Sequence, residues 1–243
     1  MIRNLWNKIQ SLNLGSKGKR KEIAATIDKE NYSTKEVMGL IYKNKLWGGS
    51  GHDFYSGAGS HASKVVNPYV ERMVEWLNTF TEKLIVCDLG CGDFNVGSQL
   101  VQHTKKYIGI DIVDELIQRN KQLFQKENLE FHCINISNED VPDADCVLIR
   151  QVLQHLTNDE VSRVLEKLKK YKYIIVTEHV PFGDYLPNRD KKIGPGTRLL
   201  DKSGIDISEP PFNFKAVVTK ELLRLDFGRK KTQIVTTLYQ TVS

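Results

Sequence analysis

Cysteine and proline are both scarce in this chain, with four and seven residues among 243. The cysteines (Cys87, Cys91, Cys133 and Cys146) include no C-x-x-C pair, and each lies in or beside an apolar run typical of a buried strand. Such thiols are expected to be buried and unpaired in a reducing compartment, not joined in disulfides or bound to zinc. The composition therefore excludes a disulfide-stapled scaffold, and no metal site is predicted.

Long apolar runs are also missing. No stretch approaches the roughly 20 consecutive apolar residues that a membrane-spanning helix needs. The first 14 residues lack the continuous apolar core and the small-residue cleavage site of a secretion signal. We therefore expect a cytoplasmic protein without a membrane span.

Most of the chain has no excess of charge. The formal charge is +5, from 35 Lys and Arg against 30 Asp and Glu. Residues 1–60 hold ten basic and five acidic side chains, whereas residues 61–243 hold 25 of each. A duplex-binding enzyme usually carries a basic face on its main domain as well. The neutral main part therefore disfavours nucleic acid as the partner.

What the chain does contain is a regular alternation of strand and helix patterns. In chain order these are helix 62–79, strand 84–88, helix 97–104, strand 107–111, helix 114–126, strand 129–134, strand 145–149, helix 158–170 and strand 173–178. Alternation of this kind predicts a parallel sheet with helices on both faces. Two further β-rich runs, 222–227 and 233–240, predict a closing antiparallel hairpin. The predicted fold class is α/β, with a doubly wound, Rossmann-like, mostly parallel sheet of seven strands.

Two segments precede this alternation. Residues 1–46 are predicted to be a basic helical extension, with an amphipathic helix at 2–13, a flexible basic link at 15–20 and a second helix at 34–45. Residues 47–61 hold five of the 17 glycines, which indicates a mobile or tightly turned loop. This glycine-rich segment is either a plain linker or a lid that closes over a ligand.

The strongest motif is the glycine turn V-C-D-L-G-C-G-D at residues 86–93, directly after the first predicted strand. Gly90 and Gly92 let the backbone approach a ligand at the carboxyl end of that strand, where doubly wound sheets bind cofactors. The spacing departs from the G-x-G-x-x-G of dinucleotide sites. Asp88 and Asp93 flank the turn and would repel a pyrophosphate. The turn therefore suits a cationic ligand, such as one bearing an amine and a sulfonium.

A second acidic position lies at the end of the next predicted strand. Asp111 follows Gly90 by 21 residues, the distance at which an acid meets a ribose diol in cofactor-binding sheets. After the third strand, Asn135 and Ile136 stand where an adenine edge is usually read. Ile112 offers an apolar wall beside the same ring.

On these motifs the sequence resembles the class I S-adenosylmethionine-dependent methyltransferases over residues 62–243, the predicted catalytic domain. The resemblance implies that the glycine turn holds the methionine moiety and that Asp111 binds the ribose hydroxyls, with S-adenosylhomocysteine as product. Where this family carries an acid after strand three, the chain has Asn135. The predicted cofactor contacts are Arg72, Asp88, Gly90, Cys91, Gly92, Asp111, Ile112, Asn135, Ile136 and Arg150.

A narrower resemblance links the chain to small bacterial methyltransferases of surface-polysaccharide and secondary-metabolite assembly. It rests on G-I-D-I-V-D-E-L-I-Q-R-N at 109–120 and R-Q-V-L-Q-H-L-T-N at 150–158, with W-G-G-S-G, G-A-G-S, T-R-L-L-D and P-P-F elements elsewhere. It implies methylation of an oxygen on a sugar, a phosphorylated sugar or another small polar metabolite. The [DN]-P-P-[YF] motif of base-amino methylation is missing after strand four, which disfavours that chemistry.

An alcohol acceptor needs a base that takes its proton as the methyl group is transferred. His155, just beyond strand four, is the first candidate because imidazole titrates near neutral pH. Glu178 and His179 follow strand five, and we expect them at the same rim, where either could replace or assist His155. The alternative for His155 is a helix-capping or cofactor-wall role.

Other charged residues have weaker signals. Arg150 and Arg72 are candidates for the cofactor carboxylate, or are structural. Three acids at the amino end of strand four are interpreted as loop and capping residues: Asp140, Asp143 and Asp145. Four cations in the long loop after strand five could hold the phosphates of a phosphorylated or nucleotide-linked acceptor, or be solvated: Arg189, Lys191, Lys192 and Arg198. Two rival functions remain open, an RNA or protein methyltransferase that docks through the basic N-terminus and a catalytically silent cofactor-binding partner.

Overall fold

The computed structural model describes residues 32–228 and 231–241. The predicted helix at 2–13 and the basic link at 15–20 lie outside the described residues. The helices are α1 (Thr34–Lys43), α2 (Ser63–Leu77), α3 (Asp114–Leu123) and α4 (Asn158–Leu168). The strands are β1 (Ile85–Leu89), β2 (Lys106–Asp111), β3 (Leu129–Cys133), β4 (Cys146–Arg150), β5 (Tyr173–Pro181), β6 (Val218–Phe227) and β7 (Thr232–Gln240).

The seven strands form one sheet in the order β3-β2-β1-β4-β5-β7-β6. The first five strands run parallel, and β7 is antiparallel to both of its neighbours, β5 and β6. The predicted fold class is therefore confirmed. In the central register Leu89 pairs with Ile110 on one side and with Ile149 on the other. The chain positions that follow these residues consequently meet at one edge of the sheet, the carboxyl edge.

Both faces of the parallel strands are buried, which explains their nearly continuous apolar sequences. Val147 and Ile149 of β4 pack in the cluster that includes α4, whereas Leu148 packs in the cluster on the opposite face with α2. The alternation follows from the two-residue period of a strand. Helix α4 begins with a capping box between Thr157 and Glu160, in which each side chain accepts from the other residue's backbone amide.

Helix α1 lies at the carboxyl edge and packs against α3, where Val113 and Leu116 join its buried side chains. A capping box between Ser33 and Glu36 starts the helix. The hydroxyl of Thr34 donates to the buried carboxylate of Glu160, so the start of α1 is bonded to the start of α4. Among the described residues, no helix is both long and apolar enough to cross a membrane.

Several element bounds differ from the sequence prediction, among them the start of β6, which begins at Val218, four residues earlier than predicted. Residues 97–104 form two separate 3-10 turns, Gly97–Gln99 and Val101–His103, instead of one helix. Eight residues that start with glycine are too few to offset helix nucleation. Strand β5 continues to Pro181, because its pairing with β7 extends to Thr232. The loop that follows contains one 3-10 turn, Arg198–Asp201, and covers part of the sheet.

Candidate active site

The glycine turn follows β1 at the centre of the carboxyl edge. The amides of Gly90 and Cys91 both donate to the carbonyl of Ile110, at 2.8 Å each. Gly90 and Gly92 have φ values of +78° and +57°. A Cβ on Gly90 would lie 2.4 Å from Val152 Cγ2, so both backbone conformation and close packing require glycine here. The turn thereby borders a crevice at the carboxyl edge, lined by residues at the ends of β1, β2 and β4.

Asp111 closes the far side of this crevice. Its Oδ2 accepts from the amide of Gly92 and its Oδ1 from the amide of Val113, both at 3.1 Å. Burial raises the pKa of Asp111 to about 6, although the backbone hydrogen bonds oppose the shift. Each carboxylate oxygen keeps a further lone pair that a ligand hydroxyl can use. The position therefore has both the charge and the acceptor capacity that a diol requires.

A cavity of about 270 Å³ extends from this crevice over the ends of β2 and β4. Nine of the predicted site residues line it: Gly90, Cys91, Gly92, Asp111, Ile112, Asn135, Ile136, Arg150 and His155. Asn135 turns its Oδ1 toward the amide and hydroxyl of Ser137, at 3.1 and 2.8 Å. The structure thus gathers most of the predicted contacts into one space.

The glycine-rich segment lies over the cavity and is fastened to the glycine turn. Ser56 and Asp93 exchange two hydrogen bonds of 2.8 Å, each from a backbone amide to the other's side chain. His61 Nε2 lies 2.6 Å from the same carboxylate. Residues 56–60 and Trp47 line the cavity below. The glycine-rich segment, for which a linker and a lid were both open, is therefore part of the cavity wall.

The two acids beside the turn do not line the main cavity, but both line a smaller pocket that shares Ser60, Gly90, Cys91 and Arg150 with it. Asp93 is engaged by the glycine-rich segment, as described above. Asp88 lies under the turn, buried, where its Oδ2 accepts from the hydroxyl of Tyr107 at 2.8 Å. Burial raises the pKa of Asp88 to about 6. The contact between Asp88 and the cofactor stays a prediction, because Asp88 lines this smaller pocket beside Gly90 and Arg150 and not the main cavity.

Of the two arginine candidates, the structure brings only Arg150 to the cavity. Its guanidinium lies 4.8 Å from the centre of the Tyr69 ring and donates to the carbonyl of Gly59 at 2.5 Å. Its Nε is buried and has no partner among the described residues. Arg72 lies on the exposed face of α2 and pairs with Glu75 at 2.9 Å, outside the cavity lining. The prediction for Arg72 was therefore wrong in placement.

His155 belongs to the 3-10 turn Leu153–His155 that follows β4. Its Nδ1 lies 3.1 Å from the carbonyl oxygen of Gly194, which can only accept, so the neutral ring carries its proton on Nδ1. The ring packs on Trp47 with centroids 5.1 Å apart. Burial, and secondarily the charge of Lys191, lower the pKa of His155 to about 4. The imidazole is consequently neutral at neutral pH, with Nε2 carrying the lone pair.

Glu178 and His179 lie away from the cavity, which corrects the expectation that they share its rim. They are consecutive in β5 and take opposite faces of the sheet. Oε1 of Glu178 accepts from the amide of Leu153 at 3.0 Å, while its Oε2 is buried without a partner among the described residues. Burial raises the pKa of Glu178 to about 8. His179 contacts Thr232 Oγ1 at 3.0 Å.

The cations of the loop after β5 also lie outside the cavity lining. Arg198 is fully buried and donates to the carbonyl of Leu156 at 2.8 Å and to that of Arg189. Arg189 in turn donates to the carbonyl of Asp201. Arg189 and Arg198 therefore bond to backbone carbonyls. Phosphate binding and solvation were both open for the four cations, and none of them lines the described cavity: Arg189, Lys191, Lys192 and Arg198. The loop instead contributes Pro195 and Thr197 to its wall.

Several residues of the site lie in quoted motifs but were not predicted to have a role. Asn120 of α3 is buried and donates to the carbonyl of Gly92 at 2.7 Å, which holds the glycine turn from below. Trp47 donates from Nε1 to the carbonyl of Pro195 at 3.0 Å. Gln151 and Gln154 line the cavity, and each has a buried side-chain polar atom without a partner among the described residues. The one available signal was the helical spacing that puts Asn120 on the inner face of α3.

The described residues contain no group of three or more His, Cys, Asp or Glu side chains that could hold a metal ion. Of the acids before β4, Asp145 accepts from the amide of Ile85 at 2.7 Å and Asp143 pairs with Lys170 at 2.7 Å. Both lie at the amino end of the strands.

Comparison with known proteins agrees with this geometry. Residues 86–171 match the family model described as a methyltransferase domain. The fold resembles the N-methyltransferase NodS of Bradyrhizobium japonicum, with 11% identity and a TM-score of 0.54 over 74% of this chain and 88% of that one. It also resembles human N-acetylserotonin methyltransferase, with 16% identity and a TM-score of 0.54 over 92% of this chain and 67% of that one. A third similar structure is magnesium protoporphyrin IX methyltransferase of Synechocystis, with 17% identity and a TM-score of 0.50 over 86% of this chain and 98% of that one. Among curated proteins none matches the chain.

The matched stretch contains the glycine turn, Asp111, Arg150 and His155. The match identifies a methyltransferase domain over residues 86–171, and the fold is one that known methyltransferases share. The solved structure of NodS holds S-adenosylhomocysteine, and that of the protoporphyrin enzyme holds S-adenosylmethionine. At these identities the solved structures establish the fold and leave the acceptor open.

Proposed function

We propose that the enzyme transfers a methyl group to an oxygen of a small polar acceptor, with a sugar as the first choice. The proposal is carried by one observation: the same cavity is lined by a carboxylate suited to a ribose, Asp111, and by an imidazole suited to proton transfer, His155. In-line displacement requires the acceptor and the methyl group to be aligned in one space. The shared cavity satisfies that requirement.

The residues around the glycine turn fit the cofactor. Asp111 has free lone pairs for the ribose hydroxyls, and the unpartnered Nε of Arg150 is a donor for the amino-acid carboxylate. Ile112 and Ile136 provide apolar walls for the adenine, with Asn135 at its edge. When bound, S-adenosylmethionine supplies a methyl group activated by its sulfonium, and S-adenosylhomocysteine is the product.

His155 would act as the base. Because its Nδ1 proton is committed to Gly194, Nε2 is the atom that can accept the proton of an acceptor hydroxyl. The acceptor oxygen gains the methyl group, and its proton passes to the imidazole. Burial keeps the ring neutral and thus ready to accept, although the lowered pKa makes it a weaker base than an exposed histidine. Trp47 and the glycine-rich segment exclude water above it.

The rival functions make different demands on the chain. An RNA or protein methyltransferase would use the basic residues 1–46 for docking, and a silent cofactor-binding partner would need no base at all. The structurally similar enzymes carry names that refer to N-methylation, N-acetylserotonin and a magnesium protoporphyrin, so fold alone does not choose among acceptors. The neutral imidazole in the cavity favours a hydroxyl acceptor. We also propose a cytoplasmic location, supported by four free cysteines.

The test uses the full-length chain. Calorimetry should detect S-adenosylmethionine binding, and incubation with methyl-labelled cofactor should label a small metabolite as a methyl ether by mass spectrometry. RNA and protein from the same lysate serve as competing acceptors. Labelling of either polymer in preference to small metabolites would favour the rival enzyme, and cofactor binding without transfer would favour the silent partner. A native protein that binds no cofactor would contradict the assignment altogether.

A further inference from the structure

The cavity divides into two parts with different chemistry. The cofactor crevice comprises Gly90, Gly92, Asp111, Asn135 and Arg150. The outer chamber comprises Met38, Trp47, Gln154, His155, Leu156 and Pro195. Within the chamber, Trp47 packs on His155 and donates to the carbonyl of Pro195. If the crevice holds the cofactor, the chamber is the space left for the acceptor.

The outer chamber has no charged side chain among the described residues that line it. The charged lining residues of the whole described cavity are Asp111 and Arg150, and both belong to the crevice. Arg150 donates to Gly59 and Ser60 and packs on the ring of Tyr69, and its remaining Nε is the donor proposed above for the cofactor carboxylate. The basic residue whose charge reaches His155, Lys191, does so from outside the lining.

This distribution disfavours an anionic acceptor. A phosphate or carboxylate that leaves water without a cationic partner loses several kcal/mol of hydration free energy. The buried guanidinium of Arg198 is directed to backbone carbonyls and is not available to compensate. A neutral acceptor avoids that penalty.

The chamber also selects for shape and for hydrogen bonding. The hydrogen bond to Pro195 fixes the indole of Trp47, so it presents a rigid ring surface against which the C–H face of a second ring can pack. Gln154 is only 3% exposed, and its Oε1 has no hydrogen-bond partner among the described residues. Since a buried unpaired carbonyl is costly, a ligand hydroxyl that donates to it gains affinity.

Resting on the proposed function, we propose that the part of the acceptor that enters the cavity is an uncharged, hydroxylated ring. It would pack on Trp47 and donate a hydrogen bond to Gln154, with its reacting hydroxyl toward His155. Phosphorylated and nucleotide-linked sugars are excluded as the group that occupies the chamber.

The first test sorts acceptors by charge. A metabolite extract is separated by ion exchange at pH 8 into neutral, anionic and cationic pools, and each pool is incubated with the full-length enzyme and methyl-labelled cofactor. At least ten times more label is expected in the neutral pool than in the anionic pool. Mass spectrometry then distinguishes a methylated sugar from a methylated phenol. Preferential labelling of the anionic pool would overturn the inference while leaving the proposed methyltransferase function intact.

The second test uses Trp47→Ala with Trp47→Phe as its matched control, on the acceptor found above. The alanine variant should raise the acceptor KM at least tenfold and change the calorimetric cofactor Kd less than threefold. The phenylalanine variant should recover most of the lost acceptor affinity. An unchanged KM in Trp47→Ala, or an equal loss of cofactor affinity, would show that Trp47 does not form an acceptor surface.

Discussion

The cofactor crevice and the outer chamber are built in different ways. The crevice comes mainly from consecutive strand ends, because Gly90, Gly92 and Asp111 are joined through backbone hydrogen bonds within a short stretch of chain. The chamber is assembled over long sequence separations, as in the hydrogen bond from Trp47 to Pro195, 148 positions apart. Thr34 and Glu160 similarly join α1 to α4 across 126 positions.

The difference indicates which part can change without loss of the fold. Backbone conformation and close packing fix the crevice, so few residues can replace Gly90 or Gly92. The chamber depends on side chains at the carboxyl edge, outside the strands, where substitution leaves the sheet intact. We therefore expect substitutions in the crevice to act on cofactor affinity and substitutions in the chamber to act on the acceptor step.

The largest expected effect tests the chamber. His155→Asn should lower kcat by roughly 10²- to 10⁴-fold, the usual contribution of a positioned general base. Asparagine can still donate to Gly194, so the loop contact is retained while the base is lost. Calorimetry should show a cofactor Kd within about threefold of the native value. Full turnover in this variant would reassign the base and remove the chemical basis for proposing an oxygen acceptor.

The pH dependence of the native enzyme sharpens the same point. Because the pKa of His155 is lowered to about 4, its neutral form persists as the pH falls from 8 to 5 and is lost only below that. The acid limb of kcat should therefore lie near pH 4–5, not near 6.5. If kcat instead falls near pH 6.5 in the native enzyme and this fall is lost in His155→Asn, the bound acceptor restores an ordinary pKa to His155.

The second effect tests the crevice. Asp111→Ala should weaken cofactor binding by about 10- to 150-fold, because the equivalent of one hydrogen bond to a charged group, worth about 1.5–3 kcal/mol, is removed. At saturating cofactor the acceptor KM should change little. Asp111→Asn is the matched control, since its carbonyl oxygen still accepts one backbone amide. An acceptor KM that rises in parallel with the cofactor Kd would break the division between crevice and chamber.

The fold was largely predictable because its signals are local. The apolar runs predict the bounds of β1, β2 and β4 to within one or two residues of those observed. The alternation of strands and helices predicts the parallel sheet. The stretch 97–104 was predicted as a helix from its pattern alone, but its length and its starting glycine leave two 3-10 turns. The shortness of this stretch, and not its apolar periodicity, determines that it forms 3-10 turns and no α-helix.

The site was predictable only in its local part. The glycine turn and Asp111 follow from motif and spacing, whereas the direction of Glu178 and His179 depends on the strand register that β7 imposes. Asp93 was expected to face the ligand, but its side chain is bonded to Ser56, 37 positions away. Trp47 and Gln154 lie in quoted motifs but were given no role, because their place in the cavity depends on how the loop after β5 folds back over the sheet.

A smaller effect is expected where the glycine-rich segment is fastened to the turn. Asp93→Ala removes the hydrogen bonds to Ser56 and His61, which should destabilise the closed segment by about 1–2 kcal/mol. Cofactor dissociation measured by stopped flow should accelerate roughly tenfold. The control is Asp53→Asn, which breaks an exposed ion pair with Arg119 and should accelerate it less than threefold. Equal rates in all three proteins would mean that the segment does not gate the crevice.

The smallest effect on turnover is expected for Glu178→Gln, although its effect on stability should be clear. The pKa of Glu178 is raised to about 8, so the folded protein retains this proton between pH 4.5 and 8 while the unfolded chain does not. Stability must therefore fall as the pH rises through that interval and level off above it. Glutamine can still accept from the amide of Leu153 and has no proton to lose. Between pH 5 and pH 9, urea unfolding should consequently show the variant gaining up to about 4 kcal/mol on the native protein. The control is Glu127→Gln at an exposed position, which should leave the pH dependence of the free energy of unfolding as in the native protein. If Glu178→Gln also shows the native pH dependence, the carboxyl of Glu178 ionises with an ordinary pKa.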